Sequence, residues 1–309
     1  MKVLGIGNAI VDVICKVNDD FLKKNSLTKS TMKLVDEKEF EKLLTNLKIE
    51  ETISGGSVAN TIVGLAQLGN KVGFIGKVSD DKLGAKYEDG LNKENVKYFY
   101  SKKKEQIPTG TCLILVTPDS ERTMITFLGT AGKIHEDDIN IDAVKSCEIL
   151  FLEGYLWDEG DPKKAFEKAI NNSNKVAMSL SDLFCVERHK PHFLNLVKNK
   201  LDITFANEQE IMSLIGATKF EDVVEFSKKN KKLIVITRGN KGALAVENNK
   251  VVECNAIKNL KIIDLTGAGD LFASGFLDKY IKGKTIKESL NKGTEMSAKI
   301  IQVIGARIN

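Results

Sequence analysis

The sequence predicts an α/β protein with a central, mostly parallel sheet flanked by helices and a second, small β-sheet that forms a lid. Two patterns in the 309-residue chain support this prediction. In the second half, short apolar runs alternate with amphipathic stretches, which is typical of strand–helix–strand units in a parallel sheet. In the first third, several β-branched runs follow one another without a helical pattern between them, which favours a separate small sheet.

The composition is that of an ordinary globular chain, with 42% hydrophobic and 28% charged residues. The chain has four prolines, no repeat and no low-complexity linker, so we predict a single domain over residues 1–309. The net charge is only +4, and the dense basic runs 101–106 and 227–233 lack interleaved aromatics. These features argue against nucleic-acid binding.

The sequence also predicts a cytoplasmic protein that does not associate with membranes. No apolar run approaches the ~18 residues that a membrane span needs. The apolar stretch 1–15 is interrupted by Gly5, Gly7 and Asn8 and lacks a small-residue cleavage site, unlike a signal peptide. The five cysteines are odd in number and widely spaced, which indicates reduced thiols rather than a disulfide framework.

The first third is predicted to supply the lid, from about residues 12–35 and 96–128. Its β-branched runs read as an antiparallel flap that closes over a substrate and excludes water, although a purely structural extra sheet explains them equally well. The strands are predicted at 9–17, 30–36, 96–101, 110–117 and 122–128.

The second half is predicted to supply the main sheet. Ligands of such sheets bind beyond the carboxyl ends of the strands, so the residues that follow each strand are the candidates for a site. The strands are predicted at 148–155, 175–181, 201–207 and 232–239, and the clearest helices at 162–172 and 208–216.

The stretch "IIDLTGAGDLFASGFL" (262–277) is the strongest candidate for chemistry. We predict a strand that ends at Asp264 and a helix that begins near Ala268. Glycines at this turn would leave the backbone N–H groups of residues 267–270 open to an anion, which the helix dipole also favours. Asp270 would then lie beside a bound phosphate as a proton acceptor. The alternative is an acidic residue that caps a glycine turn.

A second glycine pair opens a helix at "ISGGSVANTIVGLAQLG" (53–69). Gly55 and Gly56 would allow close approach of a polyhydroxylated ligand, and Ser57 follows them directly. Asn60, in the first turn, could donate and accept hydrogen bonds. A plain capped helix start explains this stretch about as well.

The early "GIGNAIVD" (5–12) does not predict a dinucleotide fold, because no third glycine follows and a strand pattern stands where a helix should begin. Asp12 falls among apolar residues of that strand, where an unpaired carboxylate is costly. Neighbouring sugar hydroxyls would satisfy it, and a locally hydrogen-bonded structural aspartate is the alternative.

A zinc site is not expected. Cys185, His189 and His192 have a plausible ligand spacing, but Pro191 interrupts the helical pattern between the histidines and no fourth ligand is evident.

Taken in this order, the early "GG-S-x-x-N" and the late "D-x-T-G-A-G-D" make the chain similar to the ribokinase-like (PfkB) carbohydrate kinases over its whole length. The resemblance implies that Asp270 is the catalytic base and that Gly267, Ala268 and Gly269 form an anion hole. It implies ATP as phosphate donor, with Mg²⁺ organised through water by the "N-x-x-E" of Asn207 and Glu210, and with Thr237, Gly239 and Thr266 near the nucleotide. Relatives bind a monovalent cation near the stretch 297–306, and the resemblance leaves open whether this chain does.

Several segments most resemble the adenosine kinase branch of that family, including "PTGTC" (108–112). The resemblance implies that Asn8 and Asp12 lie near a ribose and that Tyr155 and Phe184 lie near a purine. Without it, core packing explains these aromatics equally well. It also implies that Arg122 stabilises charge on the transferred phosphate. One departure is Leu265, which stands where the family usually has a small hydroxyl residue, so Thr266 and the backbone amides remain for phosphate contact.

The implied activity is ATP-dependent phosphorylation of a primary alcohol on a ribose-containing substrate, with conversion of adenosine to AMP as the leading hypothesis. A kinase for a free sugar, such as ribose, fructose or a 2-keto-3-deoxy sugar acid, is the nearest alternative. A non-catalytic nucleotide-binding protein on the same fold is a third. The sequence leaves monomer and homodimer open.

Overall fold

The computed structural model describes residues 1–119, 121–157 and 160–308. The strands that it contains form two sheets, one of nine strands and one of five. In chain order they are β1 (Val3–Ile6), β2 (Val11–Lys16), β3 (Met32–Leu34), β4 (Ile49–Ser54), β5 (Val72–Ile75), β6 (Lys97–Tyr98), β7 (Thr111–Val116), β8 (Arg122–Phe127), β9 (Ile149–Glu153), β10 (Val176–Ser179), β11 (Ile203–Asn207), β12 (Leu233–Thr237), β13 (Ala243–Glu247) and β14 (Lys250–Cys254).

The helices follow the predicted alternation in the second half of the chain. None of those described is both long and apolar enough to cross a membrane. In chain order they are α1 (Asp19–Lys24), α2 (Glu37–Leu44), α3 (Ser57–Gln67), α4 (Lys82–Lys93), α5 (Ile141–Ser146), α6 (Asp161–Asn171), α7 (Leu183–Asn199), α8 (Glu208–Ile215), α9 (Phe220–Lys229), α10 (Ala268–Ile281) and α11 (Ile286–Ile300).

The nine-stranded sheet has the order β14-β13-β12-β11-β10-β9-β1-β5-β6. All pairs from β12 to β6 are parallel, and only β13 and β14 add antiparallel pairs at one edge. Helices cover both faces, so strands such as β1 and β9 are buried along their full length. Two apolar clusters, one around Phe151 and Phe276 and the other around Phe166 and Phe193, form the core. The predicted fold class is confirmed.

The lid is the five-stranded sheet, with the order β3-β8-β7-β2-β4. It is mixed rather than purely antiparallel, because β2 pairs with β7, and β3 with β8, in parallel. The prediction of a lid strand at 96–101 was wrong, since β6 pairs with β5 at the edge of the main sheet. Strand β4 was missed because the first half of its sequence, "IEETIS", lies exposed on an edge strand and carries little apolar signal.

The strand predicted to end at Asp264 is also absent, and the segment between β14 and α10 contains no strand. Its β-branched residues Ile262 and Ile263 are 63% and 40% exposed rather than packed in a sheet. The backbone N–H groups of Ile263 and Asp264 instead donate to the carbonyl of Ile301, just after α11. This segment is therefore held against the end of the last helix, and the site it carries depends on that contact.

Candidate active site

A cavity of about 610 Å³ lies beyond the carboxyl ends of the parallel strands, where open α/β sheets bind ligands. Five neighbouring strands each contribute a polar lining residue at or just after the strand's end, namely Asn8, Glu153, Ser179, Asn207 and Thr237. Lid strands β2, β3, β7 and β8 line the opposite side, and the N-terminus of α10 lines the floor. The cavity therefore lies between the main sheet and the lid.

Asp270 lies in the first turn of α10 and lines this cavity. Its Oδ1 accepts a hydrogen bond from Ser57 Oγ at 2.6 Å, and its Oδ2 accepts one from Asn60 Nδ2 at 3.1 Å. Burial raises the pKa of Asp270 to about 6, although these two hydrogen bonds oppose the rise. The carboxylate is thus fixed in orientation and remains mostly ionised at neutral pH, as a general base requires.

The residues just before Asp270 form an open turn. Gly267 has φ +76°, the left-handed conformation that glycine adopts without strain. The N–H groups of Gly267, Gly269 and Asp270 have no acceptor within the described residues, while that of Ala268 donates to the Leu265 carbonyl at 3.2 Å. Three of the four predicted amides are therefore available to an anion, and the helix dipole adds to their attraction.

Asp264 holds this turn together. Its Oδ1 accepts hydrogen bonds from both the N–H and the hydroxyl of Thr266, and its Oδ2 accepts one from the Gly305 N–H. Arg122, at the start of lid strand β8, donates to the same Oδ2 at 2.9 Å. The guanidinium is held by this ion pair and Arg122 is not among the lining residues, so its role at a transferred phosphate stays a prediction.

The glycine pair before α3 gives space to neighbouring protein atoms, and its role toward a ligand stays a prediction. A side chain at Gly55 would come within 2.4 Å of the Asp12 carboxylate, and one at Gly56 within 2.2 Å of the Asn8 carbonyl. Gly56 also has φ +100° and lines the cavity, whereas Gly55 does not line it. The pair therefore brings Asn8, Asp12 and Ser57 to one wall.

Asp12 on lid strand β2 and Asn8 after β1 both face the cavity. Burial raises the pKa of Asp12 to about 7, and the nearby Arg307 and Arg122 oppose the rise. The Asn8 Oδ1 atom is buried with no hydrogen-bond partner among the described residues. Both groups can thus accept hydrogen bonds from hydroxyls, as predicted for a sugar, and their contact with one stays a prediction.

Glu153, at the end of β9, is a cavity residue that the sequence analysis missed. Its side chain is 1% exposed, and its two carboxyl oxygens accept the backbone N–H groups of Asn8 and Val58, each at 2.8 Å. Gly7 makes room for it, because a side chain there would lie 2.6 Å from Oε2. Glu153 thus joins three chain segments at the cavity wall. The sequence feature that could have identified Glu153 is a carboxylate at the end of an otherwise apolar run.

Because of Glu153, we expect the free energy of unfolding of the protein to depend on pH. Burial raises its pKa from 4.5 to about 7, so the folded protein holds this proton more tightly than the unfolded chain. The free energy of unfolding should therefore fall as pH rises from about 5 to about 8, with Glu153 contributing about 1–3 kcal/mol. Glu153→Gln should reduce this fall in chemical-denaturation curves. Glu225→Gln, an exposed control whose pKa lies below its usual value, should not change it. Equal slopes for Glu153→Gln and the wild type would contradict the assignment.

Two aromatic side chains, Tyr155 and Phe184, line the cavity. The ring centroids of Tyr155 and Phe184 lie 5.8 Å apart, and the Tyr155 hydroxyl donates to the Ser181 carbonyl at 3.3 Å. The Arg188 guanidinium lies 5.6 Å from the centroid of the Phe184 ring. The lid presents apolar side chains to the same cavity, namely Ile10, Cys112, Ile114, Met124 and Leu128. These aromatic and apolar parts of the lining suit a flat, largely apolar group.

Asn207 and Glu210 are locked together at the start of α8. Glu210 accepts the N–H and the side-chain amide of Asn207, and Asn207 Oδ1 accepts the Glu210 N–H, so the pair forms a capping box. Both residues line the cavity, as does Thr237, whereas Gly239 does not. Burial raises the pKa of Glu210 to about 7.

The donor set also fits the implied Mg²⁺. Mg²⁺ is commonly bound by one or two carboxylates, with phosphates and waters as its other ligands. No cluster of three or more His, Cys, Asp or Glu side chains able to hold a metal occurs in the part of the chain that the structure describes. Glu210 is a single carboxylate that lines the cavity, which fits an ion whose other ligands are phosphate oxygens and water. This role, like that of the monovalent cation, stays a prediction.

Comparisons with known proteins agree with this geometry. The model of the pfkB family of carbohydrate kinases matches residues 25–309. Adenosine kinase 2 of Arabidopsis thaliana is 27% identical over an alignment 332 positions long, covering 98% of this chain and 94% of that protein. A structure of a probable sugar kinase from Rhizobium etli CFN 42 is 37% identical with a TM-score of 0.90, covering 99% of this chain and 94% of that one. A structure of adenosine kinase from Sinorhizobium meliloti is 35% identical with a TM-score of 0.91, covering 99% and 95%.

These matches confirm the resemblance drawn from the glycine motifs, and they extend over nearly the whole chain. The relatives include both adenosine kinases and a probable sugar kinase, so they establish the reaction type more firmly than the acceptor. The chain belongs to the pfkB family of carbohydrate kinases and is an ATP-dependent kinase that acts on an alcohol group.

Proposed function

We propose that this kinase phosphorylates the 5′-hydroxyl of a purine nucleoside, with adenosine converted to AMP. The observation that carries the proposal is the composition of a single cavity. Its lining includes Asp270 and the open turn before it, and also the aromatic pair Tyr155 and Phe184 and apolar side chains of the lid. A flat base would pack against the aromatic and apolar side chains, and a free sugar would leave them without a partner.

The proposed chemistry uses groups that are already in position. The Asp270 carboxylate takes the proton of the attacking hydroxyl, while Ser57 and Asn60 hold the carboxylate in place. The N–H groups of Gly267 and Gly269 stabilise the negative charge on the phosphoryl group as it is transferred. At the ribose, Asn8 and Asp12 would accept hydrogen bonds from the remaining hydroxyls. Reactions of this kind depend chiefly on positioning and charge stabilisation.

Mg²⁺, when bound, would neutralise charge on the phosphate oxygens of ATP. The residue suited to orient its water ligands is Glu210, which Asn207 holds by both carboxyl oxygens. Leu265 is 65% exposed and lines the cavity beside the open amides, so its side chain offers an apolar surface where the family usually has a hydroxyl. Phosphate contacts on this side would come from the backbone and from Thr266.

The direct test is a panel of phosphate acceptors assayed for ADP release. It should contain adenosine, guanosine, inosine, ribose, fructose and 2-keto-3-deoxygluconate. We expect kcat/KM for adenosine to exceed that for each free sugar. Turnover of a sugar with adenosine inert would assign the kinase to the free-sugar class, and tight ATP binding without turnover of any acceptor would favour a non-catalytic protein.

Tyr155→Ala tests the base-binding end of the cavity. Base–aromatic stacking contributes about 1–3 kcal/mol, so we expect KM for adenosine to rise about 5- to 150-fold with little change for a free sugar. Tyr280→Ala is the matched control, because this half-buried tyrosine packs against Phe276 away from the cavity. Steady-state kinetics of both variants, corrected for the folded fraction, make the comparison. An unchanged KM in Tyr155→Ala would contradict a purine at this position.

A further inference from the structure

The segment Gly305–Ile308, which follows α11, lies back across the active site and contacts it at successive residues. The Gly305 N–H donates to Asp264 Oδ2 at 2.8 Å. Ala306 lines the cavity and packs on Gly267. A Cβ added at Gly267 would lie 2.8 Å from the Ala306 Cα. The Ile308 carbonyl accepts a hydrogen bond from Gln67, on α3, at 2.9 Å. Each contact joins this segment to an element that carries part of the site.

Arg307 contacts Asn60, which is itself hydrogen-bonded to Asp270. Its Nε donates to Asn60 Oδ1 at 3.1 Å, and its Nη2 is buried with no hydrogen-bond partner among the described residues. Burial lowers the pKa of Arg307, while the carboxylates of Asp12 and Asp270 act in the opposite direction. A buried guanidinium is costly unless nearby negative charge offsets it. The acidic groups of the active site supply that charge.

The Arg307–Asn60 bond also decides which way the Asn60 amide faces. An asparagine side chain has one carbonyl oxygen and one NH₂ group. Because Arg307 only donates, it must face the Asn60 oxygen, and the Asn60 NH₂ then faces Asp270. In the opposite orientation, the Asn60 oxygen would face the carboxylate and repel it. Arg307 thereby selects the orientation in which Asn60 stabilises ionised Asp270.

We propose that Arg307 is a positioning residue for the catalytic carboxylate, acting on Asp270 through Asn60, and that the Gly305–Ile308 segment is part of the active site. The proposal rests on Asp270 being the base of the proposed function. It does not depend on which alcohol is phosphorylated, because the contacts are made to Asp264 and to Asn60, the partner of Asp270.

The charges that face Asp270 determine the expected pH behaviour. Asp12 on β2 and Glu153 on β9 are acidic neighbours, and Arg307 is the cation whose charge favours ionised Asp270. Ser57 and Asn60, on α3, donate hydrogen bonds to it. Removal of the positive charge, together with loss of the Asn60 orientation, should therefore make Asp270 easier to protonate.

The test measures kcat against pH for Arg307→Met, Arg307→Gln and Arg307→Lys, with the acceptor that the panel shows to be turned over. For Arg307→Met we expect kcat to fall about 10- to 100-fold. The acidic limb of the profile should move to higher pH, whereas KM for ATP should change less than about 3-fold if only the carboxylate is affected. Arg307→Lys should return the acidic limb close to its wild-type pH but should recover kcat only in part. Lysine retains the positive charge but lacks the planar set of donors that arginine has.

Two controls separate positioning from general effects. Lys287→Met removes an exposed positive charge near the start of α11 and should leave kcat and the pH profile unchanged. In an Asn60→Ala background, and at a pH above the acidic limb, Arg307→Met should lower kcat by less than about 2-fold, since the effect transmitted through Asn60 is then already lost and the missing charge acts only through the pKa of Asp270. If Arg307→Met does not fold, the Gln and Lys variants supply the comparison. Wild-type kcat and an unmoved acidic limb in folded variants, or full additivity with Asn60→Ala, would overturn the proposal.

Failure of the proposed function gives a different pattern. If adenosine is inert and a sugar is phosphorylated, the same profiles are measured with that sugar. If Asp270→Asn retains turnover, the base has been misassigned, and any kcat effect of Arg307→Met would then belong to another group.

Discussion

Replacing Asp270 with asparagine is expected to lower kcat by about 10²- to 10⁴-fold, the range typical of a lost general base. The substitution keeps the shape of the side chain, and Ser57 and Asn60 remain in place around it. Because burial destabilises the charged form of Asp270, its neutral replacement should leave the free energy of unfolding unchanged or slightly higher. KM for ATP should change little, since the backbone amides remain. Single-turnover and steady-state kinetics on folded protein measure the effect.

Asp278 offers a matched control on the same helix. It is 1% exposed and is bonded to Asn70 and Lys282, away from the cavity. Asp278→Asn therefore removes a buried carboxylate from α10 without touching the site, and kcat per folded molecule should stay near that of the wild type. In the wild type, kcat should decline as pH falls through the pKa of Asp270, which is about 6. Wild-type turnover by Asp270→Asn would rule out this carboxylate as the base.

The second large effect is expected from Gly267→Ala. Gly267 has φ +76°, and an added Cβ would come within 2.8 Å of the Ala306 Cα. The strained backbone should cost about 1–3 kcal/mol of folding free energy. The displaced turn should also lower kcat about 10²-fold, because the open amides would no longer align with the transferred phosphoryl group. Thermal unfolding and steady-state kinetics test the two parts separately.

Gly283→Ala is the appropriate comparison. Gly283 has φ +69°, close to that of Gly267, but an added Cβ there has no atom within 4 Å. This variant should carry the left-handed strain without the collision and without any change in kcat. Equal kinetic effects from the two substitutions would show that the contact between Gly267 and the 305–308 segment is not needed for phosphoryl transfer.

The sequence by itself determined the elements that are marked by a clear pattern of apolar residues or by a capping residue. The apolar runs that became β9, β10, β11 and β12, and the helix that begins at Ala268, were all predicted within a few residues. Parallel strands buried on both faces leave continuous apolar runs, and the glycine turn before α10 is a local signal. The prediction of a strand that ends at Asp264 was wrong. Ile262 and Ile263 have the β-branched side chains typical of a strand, but they are exposed and pair with no neighbouring strand among the described residues.

Only the tertiary structure decided how the active-site side chains are partnered. Ser57 and Asp270 are 213 residues apart in the chain, and Arg307 and Asn60 are 247 apart, yet both pairs are hydrogen-bonded. Glu153 joins two backbone segments that no local pattern connects to it. The spacing of apolar residues along a helix or strand indicates which of its faces is buried. A hydrogen bond between residues far apart in the chain depends instead on how whole elements pack against each other. The sequence could therefore single out Asp270 as the candidate base, and only the fold could identify the groups that orient its carboxylate.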